Sequence, residues 1–161
     1  MKDADFLKRC WKQSHGIRLV KPSDNLVQAY VRKSRNAMKS MELNFKEGIT
    51  EWGISASYYA RYFAVYALFQ KLGIKSEIHD CTIALFKDLF RNELPKGLIS
   101  EFERAKADRV EAQYYTEQLV VNTKKTIDDT KNFVMEIERI SDGLNQQKIG
   151  ALIQKAKQDR Q

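Results

Sequence analysis

The longest apolar run of the chain lies between Tyr58 and Phe69, where Arg61 is the only charged residue. The run is too long for an ordinary strand, and too short and tyrosine-rich to span a bilayer. A helix that is apolar on every side must be buried on every side, so the other elements are expected to pack around this one. Gly53 precedes the run, and Lys71, Leu72 and Gly73 follow it with a basic residue and then a glycine, the usual stop signal. The pattern therefore predicts a central helix over residues 50–72.

Around it the apolar positions recur at helical spacing with polar faces between them. Ser23 or Asp24 can cap a helix from Asn25 to about Phe45, with Leu26, Ala29, Tyr30, Ala37, Met38 and Met41 inward and Arg32, Lys33, Arg35 and Lys39 outward. After a short connection over residues 73–76, a helix is predicted from Glu77 to about Arg91, with Cys81, Leu85, Phe86 and Leu89 on one side. Pro95 marks a break, and helices are then expected over 98–118, 122–140 and 145–157, the last fraying into the polar tail KQDRQ. Residues 1–22 read as a basic amphipathic arm with Phe6, Leu7, Cys10 and Trp11 at helix spacing. Trp11 is expected to dock the arm onto the core, although its basic neighbours also suit it to stacking on a base. With connections this short, neighbouring helices must run antiparallel. The expected fold is all-α: an antiparallel bundle of four to five core helices over 23–142, with terminal helical extensions at 1–22 and 143–161.

Composition agrees with this and adds a charge asymmetry. Two prolines and seven glycines in 161 residues leave little for a turn-rich β fold. Cys10 and Cys81 stand alone, without metal-ligand spacing, and suit a reducing interior as ordinary small residues. The start of the sequence carries no apolar leader segment, so a cytoplasmic location without a membrane anchor is expected. Residues 1–40 hold ten Lys and Arg against three Asp, whereas the remaining 121 residues balance at 18 of each sign. Such a basic end can attract nucleic acid or simply keep the chain solvated.

Three features could carry chemistry. Arg61 needs a partner, because a guanidinium in an apolar helix is costly alone. Asp108 or Glu111 would be the ordinary answer and a bound phosphate the functional one. His79 opens the third core helix, where it can make a structural hydrogen bond or handle a proton near neutral pH. Tyr58, Tyr59, Tyr62 and Tyr66 suit core and interface packing with their hydroxyls at the edge, or a platform for bases. No phosphate loop, dinucleotide fingerprint, zinc-protease motif or nucleophile elbow is present, so no cofactor and no metal is expected.

Two stretches go further. In SASYYARYFAVYALFQKLGIKSEIHDCTIALF, Tyr58-Tyr59-Ala60 is followed by Gly73 and then by Glu77-Ile78-His79. In ADRVEAQYY, Arg109, Ala112 and Tyr114 form an Arg-x-x-Ala-x-Tyr pattern. Together with TIDDTKNFVMEIE, these resemble small prokaryotic HEPN-domain proteins, over about residues 25–140. The resemblance implies a bundle of four or five helices, commonly homodimeric and often paired with a nucleotidyltransferase-type protein. It also implies either a ribonuclease, as in toxin–antitoxin pairs, or a protein that binds nucleotides without cleaving them.

The cleaving members carry Arg, four to six residues, then His on the helix matching 98–118. The Arg would stabilise charge on the scissile phosphate, and the His would take the proton of the attacking 2′-hydroxyl. Here Tyr114 follows Arg109 after four residues, and no histidine lies beyond His79. A tyrosine, with its pKa about 10, accepts a proton poorly at neutral pH. Arg9 and His15 repeat the spacing, but with ten arginines in the chain chance produces such a match often, and it falls outside the expected helix. The expected function is therefore non-catalytic binding of a nucleotide or RNA, through Arg61, Arg109 and His79, or pairing with a nucleotidyltransferase-type partner. The alternatives are a metal-independent ribonuclease using Arg109 with Tyr114 or His79, and a purely protein-binding helical scaffold.

Overall fold

The structure is a computed structural model that describes residues 2–158 and Arg160. Met1, Asp159 and Gln161 lie outside the described residues, so the expected fraying of the tail falls partly beyond them. The described chain forms seven helices and one small sheet, in the order α1 (Lys2–Lys12), β1 (Ile17–Leu19), α2 (Asp24–Lys46), α3 (Thr50–Leu72), β2 (Ile74–Ser76), α4 (His79–Phe90), α5 (Leu98–Tyr114), α6 (Thr123–Asp142) and α7 (Gln146–Gln158). It is an all-α helical bundle, and no helix among the described residues is long and apolar enough to cross a membrane.

α3 has the predicted boundaries and is buried on most of its surface, but not on every side as expected: Trp52, Ala56, Tyr59 and Phe63, at helical spacing, form one stripe that α2 covers only in part. Helices α2, α5 and α6 pack against it, and the buried Ser34 hydroxyl of α2 donates to the Ala60 carbonyl at 2.7 Å. The Ser23 side chain accepts from the Leu26 backbone N–H and so starts α2, as its residue type allows. Gly73 ends α3 at φ 73°, in the left-handed region. A Cβ there would meet the Val20 carbonyl oxygen at 2.6 Å, so both conformation and space require glycine.

That close approach belongs to a feature the periodicity did not predict. The connection after α3 is a strand, antiparallel to β1 with Ile17 opposite Ser76 and Leu19 opposite Ile74. Three residues per strand carry no readable alternation. At the edge of the sheet Glu77 meets His15 at 3.2 Å, Lys75 at 3.1 Å and the Arg18 guanidinium. Hydrogen bonds from His15 and Lys75, and the charges of Lys75 and Arg18, hold its carboxyl down to about 2.

The cysteines depart from expectation. Cys10 of α1 and Cys81 of α4 form a disulfide, with Cα atoms 5.6 Å apart and a sequence separation of 71. They are therefore not lone residues, and the inference from them to a reducing interior falls. Pairing depends on how α1 docks, which no local spacing reveals. Leu7, Cys10 and Ile17 are buried, so the stretch set apart as a basic arm is packed onto α4 and the sheet.

Two boundaries also differ. α5 ends at Tyr114 rather than 118, and Tyr115 is extended. α4 begins at His79, because Ile78 is extended; the Glu77 backbone N–H before it donates to the His15 carbonyl and so continues the pairing with the β1 end.

Candidate functional site

The first turn of α4 meets the middle of α3 and the last turns of α5. Tyr58 and Tyr62 stand four residues apart on α3, so their rings lie on one face, and both stack against His79. The Tyr62 and His79 rings are nearly parallel, at 9° with centroids 4.3 Å apart. The Tyr58 hydroxyl and His79 Nδ1 are hydrogen-bonded at 2.5 Å, and the Tyr59 ring meets the imidazole edge-on. Placing His79 at the start of α4 thus makes it part of an aromatic cluster.

Arg109 covers that cluster from α5. Its guanidinium carbon lies 5.1 Å from the Tyr59 ring centre and 5.4 Å from that of Tyr58. The faces of these rings are electronegative and attract the cation. No carboxylate among the described residues lies within ion-pair distance of Arg109, and its Nε is buried without a hydrogen-bond partner. Its neighbour Lys106 is instead paired with Asp80.

The electrostatics follow from burial and from these cations. Burial pushes the Tyr58 hydroxyl well above the ordinary tyrosine range, with Arg109 partly opposing, and it pushes Tyr62 up as well. His79 is pushed below 6.5, first by burial and then by the charges of Arg109 and Lys106, with Asp80 opposing. A neutral imidazole beside an unpaired guanidinium can hold an anion, and can accept a proton from a hydroxyl presented to it. Among the described residues no group of three or more His, Cys, Asp or Glu could hold a metal ion.

The other two candidates lie elsewhere. Tyr114 ends α5 and is 73% exposed. Five residues along a helix are about 140° around its axis, so Tyr114 leaves the face that carries Arg109. Arg61 is 4% exposed and lines a cavity of about 180 Å³ among α3, α5 and α6. Its guanidinium donates from Nη1 to the Ser57 carbonyl at 3.1 Å and lies over the Phe133 ring. Burial lowers its pKa, while the charges of Glu101, Asp129 and Asp108 oppose that shift. Asp108 was expected as a partner; Glu111 lines a different groove. The structure thus brings together Arg109 and His79 with Tyr58, Tyr59 and Tyr62. The tyrosines' link to His79 is visible in sequence only as a shared helix face.

The HEPN domain model matches residues 27–144. A search of curated proteins finds no match to the chain. The family match spans α2 through α6 and includes every residue of the Arg109–His79 cluster, and on that extent the chain belongs to the HEPN domain family.

Proposed function

We propose that the protein binds a nucleotide or RNA at the Arg109–His79 cluster without cleaving it. Membership of the family makes this, at the coarser level, a helical protein of nucleotide or RNA biology. The observation that carries the finer reading is Arg109 itself. Its charge rests on two tyrosine rings with no carboxylate among the described residues in reach, which leaves it to a phosphate. Arg61 is left out, because it is 4% exposed and the charges of Glu101, Asp129 and Asp108 already act on it.

The test is total RNA incubated with the purified protein in EDTA, alongside binding measured at several salt concentrations. Wild type is expected to leave the RNA intact and to bind it with salt-dependent affinity. Arg109→Ala should weaken that binding about tenfold. No binding by wild type would sink the proposal and leave the protein-binding scaffold. Removing residues 1–22 is not a clean test, since Leu7, Cys10 and Ile17 belong to the core.

One observation favours a second reading, the metal-independent ribonuclease. His79 comes from α4 and not from the helix that carries Arg109, yet it stands in the same cluster. Neutral His79 could take the proton of a 2′-hydroxyl as its oxygen attacks phosphorus, and the P–O5′ bond breaks with the 5′-oxygen leaving as a hydroxyl that takes its proton from water. Cleavage by wild type that survives EDTA and disappears in both Arg109→Ala and His79→Ala would establish that reading instead.

We take the working form to be a homodimer in the cytoplasm, where its RNA would be; that location rests on the RNA-binding reading alone, because the Cys10–Cys81 disulfide does not support it. A nucleotidyltransferase-type partner in a toxin–antitoxin-like setting is part of the same reading. Leu26, Leu43 and Met135 are exposed apolar residues that leave surface for such contacts, and sedimentation of the purified protein tests the dimer.

A further inference from the structure

A groove of about 590 Å³ runs between α2 and α3, beside the Tyr59 ring. From α2 it takes Lys33, Asn36, Ser40 and Asn44, which helical spacing places on one face. From α3 it takes Trp52, Tyr59 and Phe63. The aromatic wall is open, for Trp52 is 58% exposed. An aromatic of that size left in water beside other rings marks a surface that something covers.

Charge decides what kind of molecule. Among the described residues Lys33 is the only charged one lining this groove, and Arg32 and Lys39 stand exposed on the same helix. The larger groove between α1, α4 and α5, about 1030 Å³, is lined by five carboxylates against three cations. A polyanion is repelled there and admitted here. Tyr59 connects the smaller groove to the cationic site, since the same ring lies under Arg109. The hydrogen-bonding groups are also suited to a base edge. The Asn44 side-chain amide donates to the Ser40 carbonyl at 2.8 Å and to its hydroxyl at 3.1 Å. This leaves the Asn44 side-chain oxygen free to accept from an exocyclic amino group.

We propose that this groove holds an unpaired, amino-bearing base of single-stranded RNA whose neighbouring phosphate rests on Arg109. The inference builds on the binding function above and adds a place and a chemistry for the base. Trp52 and Tyr59 supply the stacking faces, Asn44 accepts from the base, and Lys33 meets the backbone. Stacking on an aromatic tolerates many sequences, so the affinity is broad, with amino-bearing bases favoured over uracil.

The test uses the full chain with Trp11→Phe, so that Trp52 is the only tryptophan, and a ten-nucleotide oligoadenylate. Binding should quench the Trp52 emission. Trp52→Ala should weaken binding about tenfold and leave its salt dependence unchanged, whereas Arg109→Ala should weaken binding and flatten that dependence. Because Trp52 is exposed, its removal should leave the melting temperature unchanged, which separates lost stacking from lost folding. If Arg109→Ala weakens binding while Trp52→Ala binds as tightly as wild type, the base groove is wrong and the binding function stands. If wild type does not bind the oligonucleotide at all, both fall. If Trp52→Ala keeps full affinity but changes the sedimenting mass, a second copy of the chain covers the groove, and the base assignment is overturned.

Discussion

A guanidinium buried to 4% exposure needs compensation, because taking a charge out of water costs several kcal/mol. Arg61 finds it in three parts: the Ser57 carbonyl, the Phe133 face, and the carboxylates of Glu101, Asp129 and Asp108. The compensation is mutual, since Arg61 opposes the upward shift that burial imposes on Glu101 and Asp108. Arg61→Ala would leave a void in the core and remove the cation those carboxylates face. It should destabilise the fold by on the order of 3 kcal/mol, read from urea denaturation, with RNA binding retained by the folded fraction. Loss of binding at full stability would place Arg61 in the site after all. The need for a partner was legible in the sequence, because one charge stands in an apolar run. The partners were not, since they come from α5 and α6.

The start of α4 shows how an element positions chemistry. Gly73 turns the chain out of α3, β2 pairs with β1, and α4 then opens on His79 against Tyr58 and Tyr62. Burial and the neighbouring cations hold the imidazole neutral below its ordinary pKa. A depressed histidine favours the fold while it is neutral. Its contribution is therefore complete above about 6.5 and is lost as pH falls through the folded value. Stability of the wild type should fall more steeply below pH 6.5 than that of His79→Gln, and NMR titration should place the His79 midpoint under 6.5. A bound phosphate would favour the imidazolium, so saturating oligonucleotide should move that midpoint upward. No movement on binding would separate His79 from the ligand. The helices themselves were readable from apolar spacing, with α3 matching its predicted bounds. The three-residue strands were too short to carry a period, and the end of α5 depends on contacts beyond its own sequence.

Across the whole molecule, the Cys10–Cys81 bond closes a loop over a sequence separation of 71 residues. Closing so long a loop restricts the unfolded chain, worth about 4 kcal/mol in the chain-entropy account. The denaturant midpoint of wild type should therefore fall when reductant is added, whereas a Cys10→Ser, Cys81→Ser double variant should start lower and not respond. An unresponsive wild type would mean that the bond does not form in solution. The bond also holds α1 beside α4, two residues from His79, so the arm and the candidate site share one support.

The periodicity of the chain alone was enough for the helical class, the buried central helix, its glycine stop and most of the inward faces. These depend on local geometry, where a period near 3.6 and a missing Cβ act within a few residues. The Tyr58-Tyr59-Ala60, Glu-x-His and Arg109 patterns likewise carried the family resemblance. Only the tertiary structure decided that two distant cysteines meet, that Arg61 is buried near Glu101, Asp129 and Asp108 while Arg109 rests on two tyrosine rings, and that His79 stacks on Tyr58 and Tyr62. Those outcomes depend on how helices dock, and docking is set by the summed burial of many side chains rather than by any one stretch of sequence.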